Sequence, residues 1–155
     1  MTDAYRLISQ TQAAYARTID DDRLEEWPDY FADPCTYVIT TADSHREGLE
    51  GGIVYCTSQG MLRDRISALR EANIFERHGY RHILGAPFIV AEKGGTVESE
   101  TPFLVARIMG TGDTSVFATG RYLDTYSIAG GVAKIAKRIV VCDSSRIDTL
   151  LVIPL

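Results

Sequence analysis

From Asp3 to about Ile19, apolar and small residues return at helical spacing. Ala4, Ile8, Thr11, Tyr15, Thr18 and Ile19 share one side, and no Gly or Pro interrupts them. A first helix is predicted there. The acidic triplet Asp20, Asp21 and Asp22 offers an N-cap for a short second helix carrying Leu24 and Trp27. Pro28 is expected to end it, because the residue before a proline is pushed out of the α region. Tyr30 and Phe31 add aromatic bulk, Asp33-Pro34 reads as a turn, and the β-branched and aromatic run from Cys35 to Thr40 reads as a strand. The polar, glycine-bearing stretch from Ala42 to Gly52 reads as a loop, followed by a short strand from Ile53 to Tyr55.

The pattern is densest between Met61 and Gly85. Leu62, Ile66 and Leu69 sit at i, i+4 and i+7, with Met61, Ala68, Ala72 and Phe75 widening the stripe, so one helical face is predicted to be core. Arg63, Arg70 and Arg77, seven residues apart, make a slowly drifting basic row on such a helix, with Arg65 off the row. Gly79 is expected to stop the helix, since a residue without Cβ tolerates the left-handed C-terminal conformation, and Tyr80 to Leu84 then begin a strand.

Three long segments follow, Val97 to Met109, Val116 to Ser127 and Val132 to Asp143, divided by glycine-bearing links. Short links of that kind between strand-like runs are hairpin signals, so an antiparallel meander is expected. Its faces are mixed. Phe103 and Val105 alternate in phase with Arg107, and Val140 and Cys142 in phase with Lys134 and Arg138. Such faces suggest a sheet covered by helices in one region and by solvent or another subunit elsewhere. Helices first, a strand pair, a helix and a curled meander make an α+β domain: a cone of curved antiparallel sheet whose open side is closed by N-terminal and central helices. A cone of this kind has an interior pocket.

The composition narrows the classes. At 155 residues the chain has the length of one ordinary domain, here taken as 1–155, able to bury roughly 70% of its unfolded surface. The 45% hydrophobic and 24% charged contents argue against disorder and against a membrane span, and the polar start lacks the grammar of a signal peptide, so the cytoplasm is the expected compartment. Cys35, Cys56 and Cys142, an odd number at wide spacing, fit reduced buried thiols better than a disulfide framework. A net charge of -5 argues against a nucleic-acid partner, which would need phosphates neutralised.

Candidate chemistry is sparse. His78 and His82 have the i, i+4 spacing of helical metal ligands, but Gly79 falls between them, and no H-E-x-x-H or paired Cys/His spacing supports zinc or iron-sulfur ligation by this chain. No G-x-S-x-G occurs, and the glycine clusters sit at hairpins, where they do not cradle phosphate. A cone pocket could gather Tyr30, Asp33, His45 and His82 into an acid-base set able to move a proton beside a carbonyl. The plainer alternative has Asp33 capping a turn and Tyr30 packed in the core. Arg63, Arg65, Arg70, Arg77 and Arg81 against Asp64, Glu71 and Glu76 leave a local excess of +2. They form either a solvated helix face or a docking surface, since arginine pairs with carboxylates in two prongs and is enriched at interfaces. The tail Leu150, Leu151, Val152, Ile153 and Leu155 would forgo on the order of 1.5 to 3 kcal/mol per exposed side chain, so either a last strand of the chain's own sheet or another subunit should cover it.

The run D-R-I-x-A-L-R from Asp64 to Arg70, then R-H-x-Y-R-H-I-L-G from Arg77 to Gly85, resembles the small (beta) subunits of bacterial aromatic-ring-hydroxylating dioxygenases. So do G-R-Y-x-D from Gly120 to Asp124 and I-A-K-R-I-V-V-C-D from Ile135 to Asp143. The likeness keeps its order over nearly the whole chain and is strongest toward systems acting on aromatic carboxylates such as terephthalate. It implies a cone of the nuclear-transport-factor-two-like type and a non-catalytic, structural role. It further implies a large (alpha) partner subunit that holds a Rieske cluster and a mononuclear iron. Electrons would come from NADH or NADPH, oxygen would be added to the ring as a cis-diol, and three small subunits would form a trimer within a three-plus-three hexamer. No catalytic or metal-binding residue carries over to this chain. The matching positions Arg65, Arg70, Arg77, His78, Arg81 and His82, with the tail residues Leu151, Ile153 and Leu155, become candidates for subunit contacts or for bracing the fold. The competing expectation is a free-standing cone-fold dehydratase, isomerase or hydrolase acting through Tyr30, Asp33, His45 or His82. An open pocket lined by converging His and Asp would favour that enzyme, and a pocket filled by aromatics would favour the subunit.

Overall fold

The computed structural model describes residues 3–48, 52–72, 77–146 and 153–155. Helix α1 spans Ala4–Asp20, a 3-10 helix Leu24–Tyr30, strand β1 Phe31–Thr41, helix α2 Ala42–Arg46, strand β2 Val54–Cys56 and helix α3 Gln59–Glu71. Strands β3 (His78–Leu84), β4 (Phe88–Lys93), β5 (Thr96–Met109), β6 (Thr114–Ala129) and β7 (Val132–Cys142) complete the chain order. Asp3 starts α1 by accepting the Arg6 N–H on its carboxylate, and Ser58 starts α3 by accepting the Met61 N–H. The stripes expected from spacing are the buried ones, Ala4, Ile8, Tyr15 and Ile19 on α1 and Leu62, Ile66 and Leu69 on α3.

The strands form one sheet in the order β2-β1-β7-β6-β5-β3. β3 pairs with β5 from Phe103 to Met109, and β4 takes the other half of the same edge, from Thr96 to Glu100. The meander β5-β6-β7 is antiparallel, as its turns predict. β1 lies parallel to β7, so the curved sheet is mixed. This is the α+β architecture expected, with α1 and the 3-10 helix packed on one face.

Several local expectations are overturned. Gly79 does not end the central helix: α3 stops at Glu71, Ala72 is extended (φ -80°, ψ 121°), and Gly79 lies inside β3 opposite Ile108. The ladder to β5 supplies main-chain partners that a helix end would leave unmet. Arg77 therefore leaves the basic row of Arg63 and Arg70, and Phe75 of the predicted stripe lies outside the described residues. Pro28 sits within the 3-10 helix and does not terminate it. Asp33-Pro34 is no turn but a cis-bonded step inside β1, placed where the register to β7 shifts, so the absent proline N–H interrupts no regular rung. Within the expected loop, Ala42 to Arg46 form α2, started by Thr41 Oγ1, which accepts the Ser44 N–H. β4, with exposed Phe88 and Val90, was not anticipated.

The faces of β7 also differ from simple alternation. Thr125 pairs with Lys137 but Tyr126 pairs with Ile135, so the register slips by one residue. Ile135 and Arg138 are consequently both buried, while Lys134 is exposed and donates to the Asp29 carbonyl.

Candidate functional site

The interior between α1 and the sheet is where a cone-fold enzyme would work, and it is filled. Alternation on β6 brings Tyr122, Asp124 and Tyr126 to the covered face, β7 adds Arg138, β1 adds Tyr37, and α1 adds Gln12 and Tyr15. Arg138 Nε and Nη2 donate to the two Asp124 oxygens at 2.8 Å each, and Nη2 also reaches Tyr126 Oη at 3.0 Å. Both side chains of this pair are 0% exposed. The guanidinium lies 4.4 Å from the Tyr15 ring centroid and 3.9 Å from that of Tyr122, a cation between two aromatic faces. Gln12 Nε2 completes the network, donating to Thr101 Oγ1 at 2.9 Å and Tyr126 Oη at 3.2 Å. Trp27, Phe31 and Tyr37 pack edge to face beside it.

The tail closes the same space. Leu155 is fully buried, and its main-chain oxygen accepts from Tyr15 Oη and Tyr37 Oη, both at 2.8 Å. Ile153 is buried as well, so these two tail residues are covered by the chain's own core without forming a strand; Leu151 lies outside the described residues. Burial raises the pKa of Tyr15, Tyr37, Tyr122 and Tyr126. At neutral pH these phenols are therefore protonated and do not act as bases.

The four residues of the acid-base alternative engage separate partners. Tyr30 Oη bonds Thr18 Oγ1 at 2.8 Å, Asp33 is exposed and accepts the Gln59 N–H at the start of α3, and His45 lies on α2. His82 is buried on β3, its Nδ1 2.7 Å from Asp20 Oδ1. Among the described residues no group of three or more His, Cys, Asp or Glu side chains could hold a metal ion.

The arginine motif is spread over two elements. Arg70 binds inward to the molecule: Nε and Nη2 hold Glu25 at 2.7 and 3.1 Å, Nη1 holds both Asp22 oxygens at 3.0 Å, and Nη2 also reaches the Asp22 carbonyl at 2.7 Å. Asp22 has a left-handed backbone (φ 62°), so Arg70 clamps the corner between α1 and the 3-10 helix onto α3. Arg65 is half-buried on α3, Arg77 is exposed ahead of β3, and Arg81 projects from β3 with most of its side chain in solvent. His78 is half-buried, with its ring 5.6 Å from that of Tyr80. Sequence reasoning did not single out Gln12, Asp20, Asp124 or Arg138 as a polar interior. The one available signal was Asp124 and Arg138 at in-facing positions of otherwise apolar or aromatic strands.

Residues 1–139 match the SnoaL-like domain family. The beta 2 subunit of the terephthalate 1,2-dioxygenase terminal oxygenase component of Comamonas sp. is 53% identical over 148 residues, 96% of each chain. The anthranilate 1,2-dioxygenase small subunit of Burkholderia cepacia is 42% identical over 149 residues, 96% of this chain and 92% of that one. A crystal structure from Novosphingobium aromaticivorans, solved as the beta subunit of an aromatic-ring-hydroxylating dioxygenase, superposes with a TM-score of 0.91 at 37% identity, covering 98% of this chain and 97% of that one. With its cone filled by its own side chains and this likeness along nearly its whole length, the chain belongs to the small (beta) subunits of aromatic-ring-hydroxylating dioxygenases, built on a SnoaL-like domain.

Proposed function

We propose that residues 1–155 act as one domain, the non-catalytic scaffold of a cytoplasmic terminal oxygenase that cis-dihydroxylates an aromatic carboxylate of the terephthalate type. A large subunit would carry the Rieske cluster and the mononuclear iron, NADH or NADPH would supply the electrons, and three small subunits would assemble with three large ones. The observation that carries this reading is the occupied cone: Leu155, four buried tyrosines and the Asp124–Arg138 pair stand where a catalytic pocket would have to open. Relatives named as terephthalate and anthranilate dioxygenase subunits support the substrate class. Arg65, Arg77, His78 and Arg81, from the motif shared with the family, are the proposed docking positions, whereas Arg70 and His82 are proposed to brace the fold.

The test is purification of the chain alone and together with its large subunit. Alone, it should contain no stoichiometric iron and turn over no aromatic acid; together, iron should appear and, once a reductase that passes electrons from NADH is added, so should terephthalate-dependent NADH oxidation. Turnover of a small molecule by the isolated chain, lost in His82→Asn, would overturn the scaffold reading in favour of a free-standing dehydratase, isomerase or hydrolase.

A further inference from the structure

Alternation gives the sheet a second face, turned away from α1 and the 3-10 helix, and the strand registers show what it carries. Tyr55, Val38, Ile139, Leu123, Glu100 and Phe88 are partners in succession from β2 through β1, β7, β6 and β5 to β4, so they make one row across the whole sheet. All but Glu100 are apolar or aromatic. The two ends of the row are its most open members, Phe88 at 68% and Tyr55 at 52% exposure, and they stand at opposite edges of the sheet. Leu104 and Ala106 alternate in phase with Glu100 on β5, and their partners Ile83 and Val116 are exposed apolar side chains on the same face. Large apolar side chains gathered on one face, when no helix covers them, mark an interaction surface.

The adjoining row carries the charge that selects the partner. Glu98 on β5, Thr125 on β6 and Lys137 on β7 are paired in that order. Glu98 and Lys137 are exposed, with a whole strand between them, and neither has an ion-pair partner among the described residues. Glu100 and Arg121, by contrast, already pair with each other at 3.8 Å. Unpaired acid therefore lies on the β4–β5 half of the face and unpaired base on the β7–β1 half. Such a face is complementary to a second copy of itself: the β5 half of one copy meets the β7 half of the next, Glu98 comes opposite Lys137, and Phe88 comes beside Tyr55. A contact between two different patches is heterologous, and repeating it around an axis closes a ring.

We propose that this open sheet face is where copies of the chain join, the acidic half of each on the basic half of its neighbour. The inference deepens the assembly of three small and three large subunits proposed above and rests on it, because that assembly sets the ring at three.

Sedimentation of the full chain alone over a range of concentrations tests it, and a trimer is expected for the parent protein. Glu98→Lys and Lys137→Glu each place like charges across the contact and should weaken association by about tenfold or more. Combining Glu98→Lys with Lys137→Glu exchanges the two charges and should restore it. Phe88→Ser, at a side chain already 68% exposed, should weaken association by about tenfold with far-UV circular dichroism unchanged. A trimer indifferent to the two reversals and to Phe88→Ser, or reversals that the exchange does not rescue, would overturn the assignment of this face and leave the three-plus-three reading standing. A chain that stays monomeric at every concentration would overturn both.

Discussion

Charge is used in two different ways at the level of single residues. Arg138 and Asp124 are entirely inside, and their worth lies in each neutralising the other. Removing one partner strands a buried charge, so Asp124→Ala is expected to cost about 3 to 5 kcal/mol in urea denaturation, whereas replacing both residues with apolar ones of similar volume should cost far less. Equal losses in the single and double variants would contradict that account. Arg70 and Glu25 are solvent-accessible, 34% and 63%, and screening limits their pair to about 1 kcal/mol or less. The hydrogen bond from Arg70 holds the Glu25 carboxyl below its ordinary 4.5. A depressed folded-state pKa places the stabilisation above the ordinary value and removes it as pH falls through the lower one. Arg70→Met should therefore lower the denaturation midpoint at neutral pH by an amount that narrows as pH is taken well below 4.5, leaving the part due to the Asp22 carbonyl. A difference that does not narrow in acid would locate Arg70's role elsewhere than in this pair.

The elements most informative about sequence reading are the glycine-bearing ones. Gly79 invites interpretation as a left-handed helix stop, yet it is extended within β3, and a Cβ there would meet nothing within 4 Å. At Gly120 on β6 a Cβ would stand 2.0 Å from the Val141 carbonyl oxygen of β7. Gly79→Ala is thus expected to be neutral or stabilising by about 0.5 kcal/mol, and Gly120→Ala to cost about 1 to 3 kcal/mol or more as β6 and β7 are forced apart. Thermal melts of the two variants decide the matter, and a destabilised Gly79→Ala would restore the helix-stop interpretation. The same contrast shows why α1 and the meander were legible beforehand while the end of α3 was not. Periodicity over a dozen or more residues reports a buried face directly, whereas a single Gly is compatible with a cap, a bulge or an open strand. β4 escaped notice because its exposed Phe88 and Val90 break the half-buried alternation by which strands are recognised.

Across the whole molecule, the interior joins the first helix to the last residue. Leu155 is tied to Tyr15 on α1 and Tyr37 on β1, and Trp27, the single tryptophan, packs against Phe31 and Tyr37 in the same interior. A probe at Trp27 should therefore sense the collapse of the entire structure. Unfolding followed by its fluorescence and by far-UV circular dichroism is expected to give coincident, single transitions. Two separated midpoints would break the proposal that 1–155 behaves as one domain.

Taken alone, the order of residues determined the α+β class, the buried stripes of α1 and α3, the antiparallel meander and the membership in a dioxygenase small-subunit family. All of these rest on patterns repeated over many positions. Folding in three dimensions decided what single positions do. A one-residue slip in the β6–β7 register turned Lys134 outward while Arg138 kept its place opposite Asp124, and the ladder to β5 drew Gly79 into a strand. The end of α1 then set Asp20 beside His82, and two tyrosines received Leu155. Contacts between residues 12 and 126, or 37 and 155, arise from strand pairing and packing, and neither leaves a periodic trace along the chain.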